Sequence, residues 1–292
     1  MRGVGTATGA ISIVNALPTG VGSAVGIDLV ARAELELHPA GSSEKWDVRI
    51  ADDARSPLVI ESLTQALRHF APGTSGQGEL AVRSTVPIGR GLKSSSAVSS
   101  AVVLAAARAT ETPVTAVEVA RISAQASIVA GVSATGAFDD ALAGLSVGIV
   151  VTDNARGELL RSIPLDGGLG VAVYVPPQTH PPSPGMKADF EKEAVASSRA
   201  IRAAIDGDWR SAMEQNSRLV ERVMGYDYAA ARESLRAMGA VAAGVSGLGP
   251  TLAAVAPTAQ LREVAARLPG TSGEHRVLGL SRVRTIPEEG DP

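Results

Sequence analysis

Cysteine is absent from this 292-residue chain. That absence excludes disulfide frameworks, thiolate zinc sites and cysteine nucleophiles together, and it fits a reducing compartment. Aromatic residues make up only 3%, which argues against stacking platforms for nucleic-acid bases. Neither sign of charge dominates. Lys and Arg number 27 against 30 Asp and Glu, a net charge of -3, so nothing marks a surface for DNA, RNA or an anionic membrane. Fully apolar runs are short; 101–107 is typical, far below the roughly 20 residues needed to span a bilayer. The N-terminus shows no basic region followed by a continuous apolar core, so no secretory signal is expected and a cytoplasmic protein is. The four histidines (His38, His69, His180, His275) are scattered and show no metal-ligand spacing.

What is present is an ordinary globular balance, 45% hydrophobic and 20% charged, over a length comfortable for two domains. Strands are predicted at 10–17 and 23–37, split by a Pro-Thr-Gly turn, and at 46–51. Leu58, Ser62, Leu63, Ala66, Leu67 and Phe70 recur at helical spacing behind Pro57, which predicts a helix over 57–70. A strand follows over 79–86, then helices to about 110 and from 113 to about 130. An apolar strand over 145–152 precedes a turn into 158–165. The second half opens with a strand over 170–175 and a Pro-rich loop over 176–185, a lid candidate by composition. Helices are predicted over 188–205, 208–224 (with Asp208 as N-cap) and 227–238. Strands over 241–245 and 251–255, a helix over 258–268 and a strand over 276–286 complete the chain. The strands and helices do not alternate regularly enough for a doubly wound parallel sheet. The expectation is an α+β chain of two domains, 1–158 and 159–292.

Three stretches carry chemistry. The first is Pro87, Ile88, Gly89, Arg90, Gly91, Leu92, Lys93, Ser94, Ser95, Ser96 and Ala97. Two glycines free the backbone just before a helix, whose first N–H groups lack partners and attract anions. Leu92 stands where a Walker A loop has glycine, so this is a different phosphate cradle. Composition alone favours a plain serine-capped loop. The second is 131–141, where Asp139 and Asp140 sit in an apolar, glycine-containing setting. One of them could take a proton from an acceptor hydroxyl; acidic groups opposing a helix macrodipole explain them equally well. The third, 244–251, packs three glycines and a proline into eight positions. A tight turn is the simpler account, and a backbone wall beside a ligand is the functional one.

In this order the three stretches resemble the GHMP kinase superfamily. Pro87 to Ser95 matches its Pro-x-x-x-Gly-Leu-x-Ser-Ser motif, and 246–250 its C-terminal glycine motif. Lys93, the run 135–141, the run 148–154, Asn15-Ala16 and 26–29 are similar to the archaeal-type shikimate kinase branch. The resemblance covers essentially the whole chain. It implies a two-domain fold, the N-terminal one like the second domain of ribosomal protein S5 and the C-terminal one ferredoxin-like, with the site between them. It implies ATP and Mg²⁺, and phosphorylation of shikimate at its 3-hydroxyl, with no nucleic acid or membrane partner. By the same resemblance 87–97 wraps the nucleotide phosphates, Ser95 is the Mg²⁺ ligand and Asp139 the catalytic carboxylate. Asn15, Thr135, Gly136, Ala137, Asp140, Ser246 and Gly247 would lie near the acceptor. A helix glutamate that relatives give the metal has Gln125 as its nearest equivalent. Arg90, Lys187 and Arg199 are candidates for the shikimate carboxylate. A homoserine or mevalonate-type kinase, and a non-catalytic metabolite-binding member of the fold, are the alternatives.

Overall fold

The computed structural model describes residues 1–40, 45–165, 167–178, 185–270 and 273–280. In chain order the first part holds β1 (Arg2–Val14), β2 (Val21–Pro39), β3 (Trp46–Ile50), α1 (Pro57–Phe70), β4 (Gly76–Ser84), α2 (Ser94–Ala109), α3 (Ala116–Val129), α4 (Phe138–Ala143), β5 (Ile149–Asp153) and β6 (Glu158–Ile163). The rest holds β7 (Leu169–Val175), α5 (Met186–Glu191), α6 (Ala194–Asp206), α7 (Trp209–Met224), α8 (Ala229–Ala237), β8 (Ala242–Val245), β9 (Leu252–Pro257), α9 (Leu261–Ala265) and β10 (Glu274–Gly279).

The long β2 organises the first sheet. It pairs antiparallel with β1 along one edge, and with β4 and β5 over different lengths of the other. β3 joins β4 in parallel, and β6 closes the far side, so this sheet runs past residue 158. The second sheet has the order β10-β7-β9-β8 and is antiparallel throughout. One apolar core runs beneath both sheets, from Ile11, Ile27 and Leu35 to Val171, Trp209 and Met213.

The helix α2 sits at the centre. All of it is buried except Ser95, Val98 and Arg108. Strand alternation puts Gly3, Gly5 and Ala7 on one face of β1. A Cβ on Gly5 would lie 1.9 Å from the Ala101 carbonyl oxygen, and one on Gly3 would lie 2.1 Å from that of Ala105. The strand and helix backbones are therefore in direct contact. This explains why β1 starts at Arg2, well before the predicted 10: its first half carries small residues instead of a bulky apolar alternation. Buried serines of α2 find partners, Ser99 with Ser62 at 2.7 Å and Ser100 with Ser123 at 3.2 Å, as polar groups in an apolar layer must.

Other departures are local. The predicted helix 188–205 is broken between α5 and α6, where Glu193 turns out of the helix and pairs with Arg222 at 2.7 Å. Part of the predicted final strand, the lid candidate's residues 179–184, and His180 lie outside the described residues. By contrast α1 spans the predicted 57–70. Ser56 caps it by accepting from the Val59 N–H at 3.3 Å. Ser56→Ala should cost about 1 kcal/mol, read as a lower urea midpoint at unchanged slope.

Candidate active site

A cavity of about 300 Å³ opens where α2, α4, the end of β1 and the turn between β8 and β9 converge. The helices α2, α4 and α5 start at it, two of them behind a left-handed residue that carries a Cβ. Lys93 precedes α2 at φ 67° and Ala137 precedes α4 at φ 53°, both left-handed. A residue with a Cβ is disfavoured there by about 1–2 kcal/mol, so tertiary contacts hold both helix starts. The Lys93 side chain does not cap α2, and Ser94, Ser95 and Ser96 of its first turn, whose N–H groups have no partner within the helix, line the cavity.

The loop before α2 is held from below. Gly91 is at φ +79°, and a Cβ on it would lie 2.2 Å from the Ser246 carbonyl oxygen. Ser246 is fully buried, donates to the Gly91 carbonyl at 2.7 Å and accepts from the Ser12 N–H at 3.1 Å. The Gly247 N–H in turn donates to Ser12 Oγ at 3.1 Å. Tyr226 and Tyr228 hold the same turn from behind, donating to the carbonyls of Leu248 at 2.9 Å and Pro250 at 3.0 Å. Asn15 Nδ2 donates to the Gly247 carbonyl at 3.2 Å, and the Asn15 N–H donates to Asn216 Oδ1 at 2.9 Å.

Opposite the loop, Asp139 and Asp140 occupy the first turn of α4, and both are buried. They sit at a helix start, where acidic groups oppose the macrodipole, and they also line the cavity. Asp139 Oδ1 accepts from Asn154 Nδ2 at 2.8 Å. Asp140 faces Lys93 Nζ at 3.0 Å. Burial pushes the Asp140 carboxyl up to about 7, with the Asp139 charge adding to the rise; together they outweigh the opposing pull of the Lys93 ammonium. Near neutral pH Asp140 can thus serve as hydrogen-bond donor or acceptor.

Most of the expected set meets here. Pro87, Gly89, Arg90, Gly91, Lys93, Ser94, Ser95 and Ser96 line the cavity, as do Asn15, Thr135, Ala137, Asp139, Asp140 and Gly247. Five expected residues do not. Ile88 is 81% exposed at the loop's outer side, while Leu92 and Ala97 point into the core. Gly136 packs against Ala124 and Ile128, and Ser246 is spent on holding the loop. Gln125 is exposed on α3 and lies off the cavity; Ser127, two residues on, is buried and lines it. Of the three cations, Arg90 and Lys187 reach the cavity, and Arg199 lines a separate surface groove on α6. Ser12, Ser127 and Ser133 were missed, because single serines carry no periodic or compositional signal; Asn154 was read only as the end of the run 148–154, with no role given to it.

Family models match this chain twice. The GHMP kinase N-terminal domain covers residues 58–148 and the GHMP kinase C-terminal domain covers 199–273. The chain belongs to the GHMP kinases. It is similar to the shikimate kinase of Pyrococcus furiosus, at 36% identity over 87% of this chain and 92% of that protein. The shikimate kinase of Pyrococcus abyssi is 33% identical over 88% and 92%. A solved homoserine kinase from Cytophaga hutchinsonii superposes with TM-score 0.71 over 96% of this chain and 95% of that one, at 18% identity. The fold is accordingly the two-domain α+β arrangement of the GHMP kinases, as expected from the motifs.

Proposed function

We propose that this protein transfers the γ-phosphoryl group of ATP to the 3-hydroxyl of shikimate. The observation that carries the reading is one cavity that joins the uncapped start of α2 to the buried carboxylate of Asp139. The similarity to the Pyrococcus shikimate kinases supports the choice of acceptor.

In this reading the N–H groups at the start of α2 and the Lys93 ammonium receive the phosphates, the charge placement that phosphoryl transfer needs. The acceptor oxygen forms a bond to the γ-phosphorus as the bond to the β-phosphate oxygen breaks, releasing ADP. Asp139 takes the hydroxyl proton, and because the transition state is loose this transfer comes late. Family membership implies Mg²⁺, and the oxygen donors present fit it. Ser95 is the exposed serine of the three, and the ion needs only one or two protein oxygens beside phosphates and water. Ser95 would hold it, with the Asp139 carboxylate and the Ser127 hydroxyl on the facing walls. When bound, the ion neutralises charge on the transferring group.

The shikimate carboxylate needs a cation, and Lys187 is our choice. Lys187 lines the cavity, and its ion pair with Glu191 at 3.7 Å is exposed; the Arg90 guanidinium is tethered through Nη1 to the Pro176 carbonyl, and Arg199 lines a separate groove. Lys187→Met should raise KM for shikimate about 10- to 100-fold, the worth of a charge-assisted hydrogen bond. kcat and KM for ATP should change by less than about threefold. Steady-state kinetics with each substrate varied would check this.

The function itself is tested by a turnover panel of ATP with shikimate, homoserine or mevalonate. Shikimate should be preferred in kcat/KM. Preference for either alternative, or no turnover of any, would overturn the assignment.

A further inference from the structure

We infer that Asn154 is a positioning residue for Asp139, fixing which carboxylate oxygen meets the acceptor hydroxyl. The inference rests on the proposed role of Asp139 and adds the group that aims it. Asn154 follows β5, is 8% exposed and acts through Asp139, for it lies outside the cavity lining. Its amide has one permitted orientation. Oδ1 accepts from Thr152 Oγ1 at 2.8 Å and from the Asp139 N–H at 3.1 Å. Two donors on one atom identify it as the oxygen, so Nδ2 must face Asp139, where it donates to Oδ1 at 2.8 Å. The Asn154 backbone is anchored as well, its N–H donating to the Gly20 carbonyl at 2.9 Å. Thr152 is fully buried, which locks the far end of the chain of bonds.

The other carboxylate oxygen is placed by the absence of a side chain. Asp139 Oδ2 lies 2.2 Å from where a Cβ on Gly22 would stand. One oxygen is therefore pinned by an amide and the other rests in a notch that only glycine leaves open. The carboxylate plane is fixed before any substrate arrives, and a preorganised base needs no reorientation during transfer.

A purely structural account competes with this one, because Asn154 Oδ1 also caps the start of α4 by accepting from the Asp139 N–H. The two accounts separate in kinetics. For Asn154→Ala in the full chain, kcat should fall about 10- to 100-fold while KM for ATP and for shikimate stays within about twofold, the loss of one hydrogen bond to a charged group. In an Asp139→Asn background, Asn154→Ala should lower the residual rate by less than about twofold, since residues acting as one unit are not additive. Should Asn154→Ala fail to fold, Thr152→Val keeps the side-chain shape and should reproduce part of the kcat loss, whereas Thr152→Ser keeps the hydroxyl at the cost of a buried methyl and should leave kcat near wild type. Equal losses in both backgrounds, or an unchanged kcat in Asn154→Ala and Thr152→Val, would overturn the inference while leaving Asp139 as the base. Full turnover by Asp139→Asn alone would instead remove the reading on which it rests.

Discussion

Asp139→Asn should lower kcat by about two to four orders of magnitude while ATP affinity stays within about twofold, the range expected for loss of a general base. The substitution keeps the shape of the site. An asparagine at this position can still offer its side-chain oxygen to Asn154 Nδ2, which now donates to Asp139 Oδ1 at 2.8 Å. The start of α2 and its serines are untouched, so in this reading the phosphates keep their contacts there. What is lost is the carboxylate that takes the acceptor's proton. A second consequence follows at Asp140, because the Asp139 charge is one of the causes holding that carboxyl near 7. Without it Asp140 ionises at lower pH, and its pairing with Lys93 tightens. Steady-state kinetics with a calorimetric titration of ATP would read both quantities. Wild-type turnover in the variant would sink the assignment of Asp139.

Gly5→Ala should leave little folded protein. The added Cβ would meet the Ala101 carbonyl oxygen at 1.9 Å and the Ala105 nitrogen at 2.5 Å. Both are backbone atoms in a helix buried on almost all sides, and no rotamer change relieves them. β1 is tied along its length to β2, so the strand cannot retreat alone. Overpacking usually costs about 1–3 kcal/mol, occasionally more. Here relief requires α2 to shift against the sheet, and the loss should approach the ~5–15 kcal/mol that holds a domain together. Any fraction that folds should also be slow, since moving α2 moves Ser94, Ser95 and Ser96. Circular dichroism melts against Gly168→Ala as control would test this. A Cβ at Gly168 meets nothing within 4 Å, and that variant should keep its Tm within about 2 °C. A Gly5→Ala protein melting with the wild type would show that strand and helix are not in backbone contact.

Sequence legibility divided along physical lines. The helix α1 was readable to its ends because its signals are local: Pro57 at the start and an apolar stripe behind it. That the loop 87–96 and Asp139 belong to one family pattern was readable because their residue types follow in a fixed order along the chain, and the structure brings most of them to one cavity. The first half of β1 was not readable, since glycine and alanine there answer to α2, about 100 residues downstream. The break between α5 and α6 was hidden for a related reason: Glu193 is helix-compatible by type, and its partner Arg222 lies on another helix.

By itself, then, the sequence determined the class of fold, the family motif that leads into α2, the adjacent pair Asp139 and Asp140, and the exclusion of cysteine chemistry. The tertiary structure alone decided which of these residues share a cavity. It made Ser246, expected near the acceptor, the clasp of the loop before α2, brought Lys187 to the cavity and left Arg199 outside it, and set Asn154 behind Asp139. The reason is distance along the chain. Periodicity and capping are properties of neighbours, whereas Asn154 meets a residue 15 positions away once α4 has packed on the first sheet, and Ser12 meets one 235 positions away only once the two sheets have come together.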